Sequence, residues 1–232
     1  MVDARETGTR SEPEVWMDHR TPDRVPPSLT PEHNWSAASP LIRPALRPVG
    51  TSGVDGRELR IPAGGSMPGK TVVKPGPAGL PIVYVLPGTG FEVVVSVDHL
   101  LAWGVGPDQV HAAAMANLDT RSADLAWTDE VSGERKIQWL DRGDGMDAAR
   151  ILLGEVRTHL HSTLGTGGRV LVGLPERDLL IAAVLAEGDA DFAALFAQYV
   201  ADRAEAADEP IDDRVFELLD GELVEFVGAT RT

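Results

Sequence analysis

Apolar positions along the chain fall into two periods. Ile82-Val83-Tyr84-Val85-Leu86 and Glu92-Val93-Val94-Val95-Ser96-Val97 are β-branched runs, and Pro87-Gly88-Thr89-Gly90 between them predicts a hairpin. A short helix is expected from Asp98 to Trp103, stopped by Gly104. Pro107 is placed to open the next one, with Val110, Ala113, Ala114 and Leu118 on one face and an end near Asp119. Leu125–Thr128 and Lys136–Leu140 predict two strands joined through Ser132-Gly133-Glu134. Ala149, Leu152, Leu153, Val156 and Leu160 are spaced as the buried face of a helix beginning on Asp147. Arg169–Leu174 predicts a strand, whereas the unbroken apolar run Leu179–Leu185 fits strand and helix equally. Asp191 is expected to cap an amphipathic helix with Phe192, Leu195, Phe196, Tyr199 and Val200 as its core face. Val215–Leu218 and Leu223–Val227 flank Asp220-Gly221, a strong hairpin signal. The order β-β-α-α-β-β-α-β-α-β-β predicts an α+β fold, a mainly antiparallel or mixed sheet covered by helices.

Upstream the pattern weakens. Residues 1–38 are rich in Pro, Arg, Ser and Glu without hydrophobic periodicity, and Trp16 and Trp35 stand alone, so a disordered tail is expected. Leu41-Ile42-Arg43-Pro44-Ala45-Leu46-Arg47-Pro48 alternates apolar and basic groups in a form suited to a sheet edge. Residues 49–80 are Gly- and Pro-rich, with weak strand signals at Glu58–Ile61 and Thr71–Val73. The expected division is therefore a tail over 1–38, an extended lead-in over 39–80, and a single α+β domain over 81–228.

Composition narrows the chemistry. The 232 residues include no cysteine, which excludes disulfides, zinc–thiolate sites and a thiol nucleophile. No apolar run approaches the ~20 residues of a membrane span, and the N-terminus lacks the apolar core of a signal peptide, so a cytoplasmic location is expected. The net charge of -15 is uneven: residues 1–47 carry -1, residues 48–80 carry +2, and residues 81–232 carry -16. A body this acidic repels phosphate backbones, which disfavours nucleic acid as a partner.

Few motifs carry specific chemistry. Gly64-Gly65-Ser66-Met67-Pro68-Gly69-Lys70-Thr71 meets the literal Gly-x-x-x-x-Gly-Lys-Thr pattern of a phosphate loop. Pro75, however, stops the helix whose N-terminus would have to face the phosphate. His159 and His161 stand two apart, pointing to opposite sides of a helix, and cannot share a metal. His99 and His111 have no partner at ligand spacing. Two dense stretches remain: Asp141-Arg142-Gly143-Asp144-Gly145-Met146-Asp147-Ala148-Ala149-Arg150-Ile151-Leu152-Leu153, and Leu174-Pro175-Glu176-Arg177-Asp178-Leu179-Leu180-Ile181. Asp144 and Asp147 lie three apart across an expected helix start, where free amides favour anions. If Arg177 and Asp178 lie beside them, three carboxylates and an arginine converge, a set able to bind a divalent cation or to perform acid–base chemistry. The structural alternative gives Asp144 to the turn, Asp147 to the helix cap, and Arg177 and Asp178 to ion pairs.

Taken together, Ile42–Arg47, Ile82–Leu86, Ala116-Asn117-Leu118, Gly143–Leu152, Leu174–Ile181 and the C-terminal strand pair resemble the YtpQ-type bacterial family over residues 41–227. The resemblance implies a common fold and no assigned reaction, cofactor or metal. The expectation is thus a cytoplasmic interaction or regulatory domain rather than an enzyme, with a protein partner reached through the N-terminal tail. The alternative is an enzyme or cation-binding protein built on Asp144, Asp147 and Asp178.

Overall fold

A computed structural model describes residues 30–56, 59, 69–88 and 91–228. Within them the chain is α+β, with two sheets that are antiparallel except for one short pairing. The first sheet contains β1 (Arg43–Leu46), β2 (Val54–Asp55), β3 (Val72–Pro75), β4 (Pro81–Pro87) and β5 (Glu92–Val94). Its order is β1-β4-β3-β2, with β5 also on β4, and only β2 and β3 run parallel. β1 lies at the sheet edge, where Pro44, which lacks an N–H, removes no ladder bond from a central strand. β4 is buried on both faces: Ile82, Tyr84 and Leu86 enter the main core, while Val83 and Val85 pack with Ala45 on the other side.

Strands β6 (Thr128–Ser132), β7 (Arg135–Leu140), β8 (Arg169–Glu176), β9 (Leu179–Leu185), β10 (Val215–Leu219) and β11 (Glu222–Glu225) make the second sheet. Its order is β11-β10-β8-β9-β7-β6. β9 explains the helix–strand ambiguity of its run, because both of its faces are covered. Leu180, Ala182 and Val184 join the main core, and Leu179, Ile181, Ala183 and Leu185 join a second one. Two buried faces leave no polar alternation to reveal the period of two. The main core also takes up α2 (Val97–Trp103), α3 (Pro107–Arg121) and α4 (Gly154–Leu164). The second core lies under α5 (Ala190–Ala206) on the opposite face.

Several expectations are corrected. Residues 39–80 are more than a lead-in, because β1 and β3 are hydrogen-bonded to β4 and the folded body begins well before Pro81. Residues 30–38 are no free tail: α1 (Trp35–Ala38) is capped by Asn34, and Trp35 packs 5.5 Å from Trp103. The Trp103 indole N–H also donates to the Pro31 carbonyl at 2.8 Å. Trp16 and the rest of residues 1–29, Glu58–Ile61 apart from Leu59, and Gly64–Pro68 lie outside the described residues. β6 starts at Thr128 rather than Leu125, and all five of its residues are exposed, so no apolar periodicity marks it. The cap of α5 is Asp189, whose carboxylate accepts from the Phe192 amide at 3.2 Å, and not Asp191.

Candidate functional site

The turn after β7 is built by its own acids. Gly143 and Gly145 take positive φ values of 67° and 77°, conformations that favour glycine. Asp144 Oδ1 accepts from the Met146 amide at 3.1 Å, and Asp147 Oδ2 accepts from the Gly143 amide at 3.1 Å. The two-residue turn Arg177-Asp178 between β8 and β9 then staples to it. Asp178 Oδ1 accepts from the Gly145 amide at 2.6 Å, and the Arg177 carbonyl accepts from the Ala148 amide at 3.1 Å. The two dense stretches therefore do meet.

They do not meet as one cation site. Asp147 is not a helix cap: its backbone is already helical, it leads a 3₁₀ segment over Ala148–Leu152, and α4 begins only at Gly154 after an extended Leu153. Its carboxylate instead turns inward to Arg150, and both side chains are fully buried. Arg150 Nη1 donates to Asp147 Oδ1 at 2.5 Å and to Asp144 Oδ1 at 3.0 Å. Its Nη2 donates to Asp144 Oδ2 at 2.6 Å, and its Nε to Ser122 Oγ at 3.3 Å. One buried guanidinium thus holds two carboxylates, and they divide. Burial works to raise Asp144, but the Arg150 hydrogen bond and charge overcome it and hold that acid below its ordinary value. Burial pushes Asp147 up to about 6 despite Arg150 and the Gly143 amide, with the Asp144 charge adding to the rise. Among the described residues no group of three or more His, Asp or Glu side chains is arranged to hold a metal ion.

Outside this network lies a cleft of about 490 Å³ lined by β1, the β4–β5 hairpin and the two stapled turns. Arg43, Arg47 and Arg177 face it together with Glu92, Asp144 and Glu209, while Asp147 and Asp178 do not line it. Arg43 Nη1 donates to the Asp144 carbonyl at 3.2 Å, and its Nε is buried without a partner. Arg177 reaches Glu92 at 3.4 Å, Asp178 at 3.3 Å and Glu209 at 3.3 Å. Burial works to lower the Arg177 pKa, but those three charges outweigh it and hold it above its ordinary value. The site expected from sequence pattern alone gives Arg43, Arg47, Arg150, Glu92 and Glu209 no part. The repeat Asp144, Asp147, Arg150 at intervals of three, with the arginine inside an apolar helix face, was the available signal for Arg150. Nothing local connects Glu209 to the turn.

A second surface lies on the far face of the second sheet. α5 packs over β8 and β9, leaving Ile137 and Trp139 of β7 and Ile181 of β9 as the floor of a groove of about 480 Å³. Its wall is Phe192, Leu195, Phe196 and Tyr199 of α5. Leu195 and Tyr199, expected in the core, are 62% and 44% exposed. The groove's polar lining is Glu130, Ser132 and Arg135, and Arg135 is held bidentately by Asp189 at 2.8 Å. Of the histidines, His99 accepts from the Ser96 amide at the start of α2, and His111 bonds the Tyr84 hydroxyl at 3.1 Å. His159 stacks on Trp127.

No family model matches the chain, and no match is found among curated proteins or solved structures.

Proposed function

We propose that the chain is a non-enzymatic interaction domain, and that the groove between α5 and β7 receives an amphipathic helix with basic flanks. The observation that carries this reading is the incomplete cover of the six-stranded sheet. Strands lie about 4.8 Å apart and helices about 10 Å apart, so one helix covers roughly two strands. Beside α5 the strands β7 and β6 remain, and two strands at that spacing make a strip about one helix wide. Its floor and wall supply aromatic and aliphatic anchors at the centre of the patch, the composition of an interface core. Its charge selects the partner: Arg135 is neutralised by Asp189, Glu130 is in no ion pair among the described residues, and the chain as a whole carries -15.

The carboxylate alternative has less support. Asp144 and Asp147 already share Arg150, so a cation or substrate at those oxygens would have to displace a buried guanidinium. The YtpQ-type resemblance belongs to the same proposal, and its segments fall on β1, β4, α3, the stapled turns and the C-terminal hairpin. A cytoplasmic location fits a cysteine-free chain, and among the described residues no helix is long and apolar enough to cross a membrane. A tail contribution to partner binding would rest on residues 1–29.

The test uses two labelled helical peptides with Leu or Phe at i, i+3, i+4 and i+7, one carrying Lys and one Glu at the remaining positions, and reads fluorescence anisotropy. The Lys peptide is expected to bind, the Glu peptide to bind at least about tenfold more weakly, and Leu195→Glu to lose the Lys peptide while keeping the wild-type melting curve. Equal binding of the two peptides, or Lys-peptide binding indifferent to Leu195→Glu, overturns the reading. A dimer in sedimentation that Leu195→Glu abolishes would assign the groove to a second copy of the chain and overturn the basic-helix partner.

A further inference from the structure

The arginine cleft is independent of the α5 groove, and its arginines differ from the others in one respect. Elsewhere the arginine–carboxylate pairs are close: Arg135–Asp189 at 2.8 Å, Arg150–Asp144 at 2.6 Å, Arg169–Glu217 at 2.5 Å and Arg214–Asp212 at 2.6 Å. Those are the lengths of fully formed charge-assisted hydrogen bonds. Among the described residues no ion pair of the cleft arginines is shorter than 3.3 Å, and Arg47–Glu209 stands at 3.9 Å. Among the described residues the Arg43 side chain makes a single hydrogen bond, to a neutral carbonyl. Of the acids nearby, Asp144 is committed to Arg150, and Asp178 divides its oxygens between the Gly145 amide and Arg177, so that Asp178, Glu92 and Glu209 answer three guanidiniums, all at long distance. All three Arg177 nitrogens are engaged only at 3.3–3.4 Å, and Arg47 Nη1 donates to the Leu46 carbonyl at 3.3 Å, so a better-placed acceptor would exchange long bonds for short ones.

Glu209 indicates what that acceptor is. Its side chain, 52% exposed, reaches in between Arg47 and Arg177 at 3.9 and 3.3 Å, so a carboxylate already stands at the mouth of the arginine wall without closing on it. The β4–β5 hairpin adds apolar lining from Pro87, Val94 and Phe91, the last 63% exposed, beside Glu92. A cleft lined by both guanidiniums and an exposed aromatic ring matches an anion with an apolar body. We infer that this cleft binds a small carboxylate carrying an aromatic or branched apolar group, its carboxylate bridging Arg47 and Arg177 in place of Glu209 and its body against Phe91 and Val94.

The experiment titrates the full chain with 4-phenylbutyrate, its neutral amide and inorganic phosphate, following the amide resonances of Gly88, Gly143 and Gly145. Phenylbutyrate is expected to give saturable shifts confined to the cleft, and the amide and phosphate to give little. Arg47→Gln/Arg177→Gln, which removes both contacts to the carboxylate, should weaken phenylbutyrate by at least about tenfold. Glu209→Gln, a change at an exposed side chain that leaves the fold in place, should tighten it several-fold by removing the internal competitor. Absence of saturable shifts overturns the assignment, as does weaker binding in Glu209→Gln. Equal binding of the amide reduces the cleft to an apolar patch, and tighter binding of phosphate refutes a carboxylate ligand.

Discussion

Replacing Arg150 by Met tests the buried network directly. Methionine occupies much of the arginine volume, so the cavity contribution is small. What remains is Asp147, fully buried, without its cation. Removing one partner of such a pair costs about 3–5 kcal/mol, because the other charge stays buried and uncompensated. Asp144 adds little, since its side chain is 32% exposed and takes up water when the arginine leaves. The expected loss is therefore about 3–5 kcal/mol out of the roughly 5–15 kcal/mol typical of a whole domain. Urea unfolding with an unchanged m-value measures it. The loss also depends on pH. Asp147 already sits at about 6 with Arg150 present, and loses its main stabilising charge when Arg150 goes. A raised folded-state pKa means stability present below the unfolded value and lost as pH rises through the folded one. Arg150→Met should accordingly be destabilised less at pH 5 than at pH 8, and Arg150→Met/Asp147→Asn should recover part of the loss at pH 8. A loss under about 1 kcal/mol at pH 8, or one indifferent to pH, refutes the account of a buried, compensated pair.

Three further outcomes are expected. In the wild type, carboxyl NMR should show Asp147 titrating near 6 and Asp144 below the ordinary range, with the Asp147 contribution to stability falling as pH rises from 5 to 7. Gly173→Ala would place a Cβ 2.5 Å from Val200 Cγ2 and 3.0 Å from Ile181 Cγ2. It should cost about 1–3 kcal/mol in thermal unfolding, with Val200→Ala relieving part of the crowding in the double variant. Trp103→Phe removes the indole bond to the Pro31 carbonyl and should cost about 1 kcal/mol, with faster amide exchange over His33–Ile42 as the local sign.

What could be read from sequence follows from how far each signal reaches along the chain. The hairpin at β4–β5, the left-handed stop at Gly104, Pro107 at the start of α3 and the Asp220-Gly221 turn rest on neighbours within a few residues, and all are found. Exposed β6 has no apolar period to find, and doubly buried β9 has no polar one. The cap expected at Asp147 is not formed, because in sequence an acid before a helix looks the same whether it caps the helix or turns inward. Only the position of Arg150 beneath it decides. Leu195 and Tyr199 satisfy helical periodicity, and periodicity marks an apolar face without telling whether the protein itself covers it. The two stretches singled out do meet, but the cleft beside them draws on Arg43, Arg47 and Glu209, which no local pattern connects.

The stapled turns have a consequence for the order of folding. The bond from the Gly145 amide to Asp178 closes a separation of 33 residues, and the one from Arg43 to the Asp144 carbonyl closes 101. The hairpins β4–β5, β6–β7 and β10–β11 are local, and helices and hairpins form before distant pairings repay their loop entropy. The arginine cleft is then expected to assemble late in folding. Its occupant, by binding only the assembled joint, would hold together the ends of the longest loop it spans.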